Sequence, residues 1–120
     1  LYLKRLPGFP ITEIRDSNTE KESKAILSNL KKDELLIALT EKGEKVTSIQ
    51  FSERLNSMNN KRLVFAIGGT NGFSAEINKS AHWLLSLSSM TYPHEIARLL
   101  LIEQLYRAHS INQGSPYHRE

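Results

Sequence analysis

Apolar and polar positions alternate along the chain in two ways: short runs that are apolar throughout, and longer stretches where apolar residues recur every three or four positions. Phe9 to Ile14 is strand-like, and Ser17 or Asn18 can cap a helix reaching about Lys32, with Ala25, Ile26, Leu27 and Leu30 as its inner stripe. The run Leu35-Leu36-Ile37-Ala38-Leu39 has the pattern of a strand covered on both faces. Thr40-Glu41-Lys42-Gly43 then reads as a loop. Thr47 or Ser48 opens a helix with Ile49, Phe51, Leu55 and Met58 on one side, ended by the polar break Asn59-Asn60-Lys61. A second buried run, Leu63-Val64-Phe65-Ala66-Ile67, leads into Gly68-Gly69-Thr70-Asn71-Gly72. Ser74 can cap a short helix with Glu76 in its first turn, and Trp83 to Leu87 reads as a fourth strand. A last helix is expected from Pro93, where a missing N–H costs nothing in a first turn, to about Ser110. At the other end, Leu1 to Leu6 reads as the end of a helix that stops before Pro7-Gly8, so that the chain opens within an element.

Alternating strands and helices imply an α/β fold: a mostly parallel sheet with helices on both faces. The last helix is unusual, because Ile96, Ala97, Leu99, Leu100, Leu101, Ile102, Leu105, Tyr106 and Ala108 go nearly all the way round it. A helix apolar on every side must be covered on every side. The economical arrangement is a homodimer, one face of the helix on the sheet and the other on a partner copy.

Composition narrows the reading. A chain of 120 residues with 39% hydrophobic content can bury one core, so residues 1–120 are expected to form a single domain. Nothing approaches the roughly 20 apolar residues needed to span a bilayer, and no charged-then-apolar leader opens the chain, so the expectation is a cytoplasmic protein with no membrane partner. Zero cysteines exclude disulfides, thiolate metal sites and a cysteine nucleophile. The four histidines lack the spacing of a zinc motif, and no metal is expected. A net charge of +3 and a pI of about 9.3 permit an anionic partner, but no basic tail or arm marks one.

Candidate chemistry concentrates in the last third. A glycine pair closing a buried strand lets a ligand or a backbone approach where a Cβ would clash, although the same pair is also the mark of a tight turn. Leu87-Ser88-Ser89-Met90-Thr91-Tyr92-Pro93-His94 is either a binding loop or a capped lead-in to the helix, and Tyr117-His118-Arg119-Glu120 is, taken alone, a tail that frays. His94, His82 and His109 read as helix, surface or packing positions, and Trp83 as a core anchor. Arg98 and Arg107 are nine residues apart, two and a half turns, and so point to opposite faces of the helix.

Together, Ile67-Gly68-Gly69-Thr70-Asn71-Gly72-Phe73-Ser74, residues 87–94, Glu103-Gln104-Leu105-Tyr106-Arg107-Ala108 and the terminal tetrad resemble the RlmH family in order and spacing. These are small bacterial SPOUT-class methyltransferases that methylate N3 of a pseudouridine in 23S ribosomal RNA. The resemblance is strong from about Leu35 to Glu120 and topological before it. Family members carry a strand and most of a helix ahead of the point where this chain starts, so the expectation is a trimmed or incomplete sequence that lacks the N-terminal strand.

The resemblance implies a C-terminal trefoil knot, a topology that ordinary connection rules make very rare. It also implies S-adenosylmethionine held by Leu39, Gly68, Gly69, Leu87, Ser88, Ser89, Met90, Thr91 and Tyr92. The target would be a flipped or unpaired pseudouridine of 23S rRNA, on free RNA or an assembled ribosome. Within the terminal tetrad His118 is the candidate base for the N3 proton, with Glu120 or the terminal carboxylate as substitute. Arg119 would stabilise charge on the flanking carbonyls or bind phosphate, and Tyr117 would stack on the base. Arg107 is the better RNA contact of the two helix arginines and Arg98 the better interface ion. A nitrogen target agrees with the missing cysteine, because an imide nitrogen needs only deprotonation whereas a ring carbon often needs a thiolate adduct. The rival from another class is a noncatalytic RNA- or nucleotide-binding module that keeps the fold.

Overall fold

Strands and helices alternate in the computed structural model, which describes residues 11–17, 20–58, 61–68 and 75–114. The elements are β1 (Ile11–Ser17), α1 (Glu20–Asn29), β2 (Glu34–Lys45), α2 (Ser48–Ser57), β3 (Arg62–Gly68), α3 (Ala75–Ser80), β4 (Trp83–Ser86) and α4 (His94–Asn112). The four strands form one parallel sheet in the order β1-β3-β2-β4. The expected helix at Leu1 to Leu6, the first residues of the expected strand from Phe9, the caps at Asn18 and Ser74, and the glycine loop from Gly69 lie outside the described residues. So do the terminal residues 115–120, and with these segments part of the chain that the expected knot would thread.

The uninterrupted apolar runs explain why the sheet is covered twice. Alternate residues of a strand point to opposite faces. Ile37, Leu39, Leu63, Phe65, Ile67, Trp83 and Leu85 pack on one face with Phe51, Leu55 and Met58 of the α2 region and with Leu101, Leu105 and Ala108 of α4. Leu36, Ala38, Val64 and Ala66 pack on the other with Ile26 of α1 and Ile77 of α3. Each large side chain in these layers contributes on the order of 1.5–3 kcal/mol by leaving water, so the central pair β2 and β3 is the sheet's anchor.

Several boundaries differ from the sequence reading. Helix α1 stops at Asn29 rather than near Lys32, because Ser28 Oγ and Asn29 Nδ2 both donate back to the Ala25 carbonyl and the Glu34 carboxylate accepts the Lys31 N–H at 2.9 Å. These bonds start the turn into β2 early. Pro93 sits one residue before the helix, as the N-cap of α4 with extended backbone (φ −57°, ψ 152°), and the helix runs to Asn112. Strand β4 ends at Ser86, with Leu87 already in the following loop.

The larger correction concerns residues 40–43, expected as a loop. Strand β2 continues to Lys45. Its pairing with β4 is interrupted after Leu39↔Leu85 and resumes at Glu44↔Leu85 and Lys45↔Ser86, so the chain detours and returns alongside β4. The partners that make this possible are about 40 residues away in sequence, beyond the reach of a local reading.

Candidate active site at the carboxyl ends of the strands

Register places the site. Leu39 of β2 lies opposite Ile67 of β3 on one side and Leu85 of β4 on the other, so β3 and β4 end beside the point where β2 breaks its pairing with β4. Gly68 follows Ile67 at that edge, paired with Ser17 of β1. Because the strands are parallel, the carboxyl ends of β3 and β4, at Gly68 and Ser86, and the second half of β2, 40–45, lie toward the same edge of the sheet. Strand order reverses there. From β2 the chain passes by α2, on one face, to β3, and from β3 by α3, on the opposite face, to β4 on the far side of β2. A switch of this kind opens a crevice beyond the carboxyl ends of the strands, the usual place for a ligand in an open α/β sheet.

Loop 87–92 is ordered by its own hydroxyls. Ser86 Oγ donates to the Ser88 carbonyl at 2.9 Å, and Ser88 Oγ accepts the Met90 N–H at 3.0 Å. Thr91 Oγ1 donates to Glu41 Oε2 at 2.8 Å, tying this loop to the returning half of β2. Leu87 packs against the core, while Met90 stands 69% exposed. Among the described residues no hydrogen bond engages the backbone of Ser89 or Tyr92, and Thr91 is engaged through its side chain. These peptide groups point to no partner among the described residues, beside the apolar Leu39 and Leu87. An adenosine-like ligand asks for that combination of backbone donors and acceptors with apolar surface.

The returning half of β2 is pinned from below. A Cβ on Gly43 would lie 2.7 Å from the carbonyl carbon and oxygen of Leu84 and from the carbonyl carbon of Leu85, so only glycine lets the two backbones meet. Next to it, Glu44 Oε1 accepts the Trp83 indole N–H at 2.8 Å and an Arg54 N–H at 3.3 Å, and the Arg54 guanidinium lies 4.6 Å from the Trp83 ring centre. Trp83 is thus the expected core anchor with a second duty.

Arg107 extends from α4 and is held by Glu103, one turn earlier, with Nη2 donating to Oε2 at 2.8 Å. Gln104 Nε2 also donates to Glu103, and Gln104 Oε1 accepts from Ser48 Oγ at the start of α2. The chain of bonds orients the guanidinium from two helices. Tyr117, His118 and Arg119, like Gly69, lie outside the described residues. The described residues therefore bring Leu39, Gly68 and loop 87–92 to one edge. What sequence reasoning missed is Glu41, Gly43 and Glu44. The signal was faint, a glycine among charged residues. Among the described residues no cluster of three or more His, Asp or Glu is arranged to hold a metal ion, and no helix is long and apolar enough to cross a membrane.

Comparison with known proteins gives the family. A family model described as predicted SPOUT methyltransferase matches residues 2–118. The chain is 63% identical over 120 residues to a protein of Prochlorococcus marinus named ribosomal RNA large subunit methyltransferase H, a match spanning 100% of this chain and 83% of that protein. It is 61% identical over 119 residues to a protein of the same name from Synechococcus sp. (strain CC9311), covering 99% and 83% respectively. With the parallel sheet, the switch point and the serine-ordered loop in place, this chain belongs to the RlmH family of SPOUT methyltransferases.

Proposed function

We propose that the protein methylates N3 of a pseudouridine in 23S ribosomal RNA, using S-adenosylmethionine, on the assembled ribosome in the cytoplasm. The observation that carries this reading is the row Leu39, Ile67–Gly68 and Leu85, crowned by a loop in which the backbone of Ser89 and Tyr92 meets no hydrogen-bond partner among the described residues. The names of the relatives supply the RNA class. Leu39 and Leu87 would flank the adenine, and the peptide groups of Ser89, Thr91 and Tyr92 would bond its polar edge. When bound, S-adenosylmethionine would supply an electrophilic methyl group for N3, its C–S bond giving way to a neutral thioether.

The protein's own task is positioning and proton removal. His118 would take the N3 proton, with Glu120 or the terminal carboxylate as substitute. Arg119 would stabilise the charge appearing on the flanking carbonyl oxygens, and Tyr117 would stack on the extruded base. Arg107, oriented by Glu103, would contact RNA phosphate. The trefoil knot belongs to the same reading. So does a homodimer, because Ile96, Leu99 and Tyr106 stand 43%, 61% and 47% exposed on α4. With each tail crossing to the partner, the site is composite.

Calorimetric titration with S-adenosylmethionine, with mass in solution recorded on the same sample, tests the cofactor site and the dimer together. Saturable binding to a dimer is expected. A folded dimer that binds nothing would turn the reading to a noncatalytic RNA-binding module. Methyl transfer to ribosomes is expected to collapse in His118→Ala while RNA binding persists, and undiminished turnover would remove His118 as the base.

A further inference from the structure

We propose that Glu41 is a positioning residue for the cofactor: it latches the returning half of β2 to loop 87–92 and thereby sets the affinity for S-adenosylmethionine. This rests on the function proposed above. Three observations lead to it. Segment 40–45 is fixed on its inner side, with Gly43 against the β4 backbone and Glu44 bonded to both Trp83 and Arg54. Loop 87–92 is anchored at its start, where Ser86 belongs to β4 and Ser88 bonds to it. At its far end, the bond from Thr91 Oγ1 to Glu41 Oε2 ties the loop to the pinned segment. Thr91 and Glu41 are fifty residues apart in sequence, and both are exposed, so neither is held in place by burial.

The bond therefore joins a rigid segment to the far end of a loop whose first half is held by Leu87 in the core and by the Ser86–Ser88 and Ser88–Met90 bonds, and whose second half is tied by Thr91. Of the peptide groups proposed to hold the cofactor, those of Ser89 and Thr91 lie inside the stretch that the latch closes and that of Tyr92 directly follows it. A loop ordered before the ligand arrives loses less conformational freedom on binding, and that difference appears as affinity. Glu41 touches neither the methyl group nor the base, so the step after binding should be indifferent to it.

Glu41→Ala is expected to raise the dissociation constant for S-adenosylmethionine about five-fold, roughly 1 kcal/mol at 1.4 kcal/mol per tenfold. Turnover at saturating cofactor should stay within about two-fold, so that the loss falls in KM. Glu41→Gln keeps an acceptor for the hydroxyl and should restore most of the affinity. In a Thr91→Val background the Glu41→Ala change should add nothing further, the signature of a coupled pair. Amide hydrogen exchange without cofactor should quicken across residues 88–92 in Glu41→Ala, with the melting temperature unchanged. Full additivity of the two substitutions, or unchanged affinity and exchange in Glu41→Ala beside a parent protein that binds, would overturn this proposal alone. A parent protein that binds no S-adenosylmethionine would instead overturn the function on which it rests.

Discussion

A single methyl group decides whether segment 40–45 can lie where it does. In Gly43→Ala the new Cβ would meet three backbone atoms of Leu84 and Leu85 at 2.7 Å, and backbone cannot rotate away as a side chain can. The expected loss is about 1–3 kcal/mol, read as a lower denaturant midpoint at unchanged slope, and a variant as stable as its parent would show that β2 and β4 can separate there freely. Trp83→Phe tests the neighbouring anchor. It keeps the ring packed near Phe51, at a centroid distance of 6.0 Å, but removes the N–H that Glu44 accepts and weakens the contact with Arg54. About 1–2 kcal/mol should be lost, and adding Glu44→Ala to the Trp83→Phe variant should cost little more. At this scale the sequence announced types but not partners. Trp83 was legible as a buried anchor because an apolar run surrounds it. That Gly43 is needed for close approach rather than for a turn was not legible, because the approaching backbone belongs to β4.

Elements were easier to read, because their causes are local. The start of α2 was visible in Thr47 or Ser48, and the structure selects Thr47 and completes a capping box: Thr47 Oγ1 accepts the Gln50 N–H at 3.1 Å, while Gln50 Oε1 accepts the Thr47 N–H at 2.9 Å. Thr47→Ala should lower stability by about 1 kcal/mol and Thr47→Ser by much less, a ranking that thermal melts of the three proteins would check. Periodicity found α4 but no single inner stripe, because its apolar residues go nearly all the way round; the structure selects Leu101, Leu105 and Ala108 as the buried side. Leu105 is fully buried against the sheet, and Leu105→Ala should cost about 2–5 kcal/mol by leaving a cavity. Where element reading failed, at residues 40–43, the cause was tertiary. A polar stretch holding a glycine has no intrinsic preference for a strand, and this one becomes strand-like by returning to β4.

For the whole molecule the decisive feature is the face of α4 turned away from the sheet. Leu101, Leu105 and Ala108 are buried inward, whereas Ile96, Leu99 and Tyr106 remain on the outside. A charge at Leu99 would not disturb the inner packing but would be stranded in the proposed dimer interface. If the proposed dimer and its composite site are right, Leu99→Asp is expected to halve the mass in solution with the circular dichroism spectrum preserved and to abolish methyl transfer. A variant that stays dimeric would place the interface elsewhere. Taken by itself, the sequence determined the class of the fold, the order of its elements, both faces of the central strands and the family, because periodicity, caps and motifs are properties of neighbouring residues. Tertiary structure alone decided the strand order β1-β3-β2-β4, the common edge that gathers Leu39, Gly68 and loop 87–92, and the bonds of Glu41 and Glu44 to Thr91 and Trp83. Those depend on groups tens of residues apart whose hydrogen bonds and close backbone contacts exist only once the sheet has closed, and no local pattern carries that information.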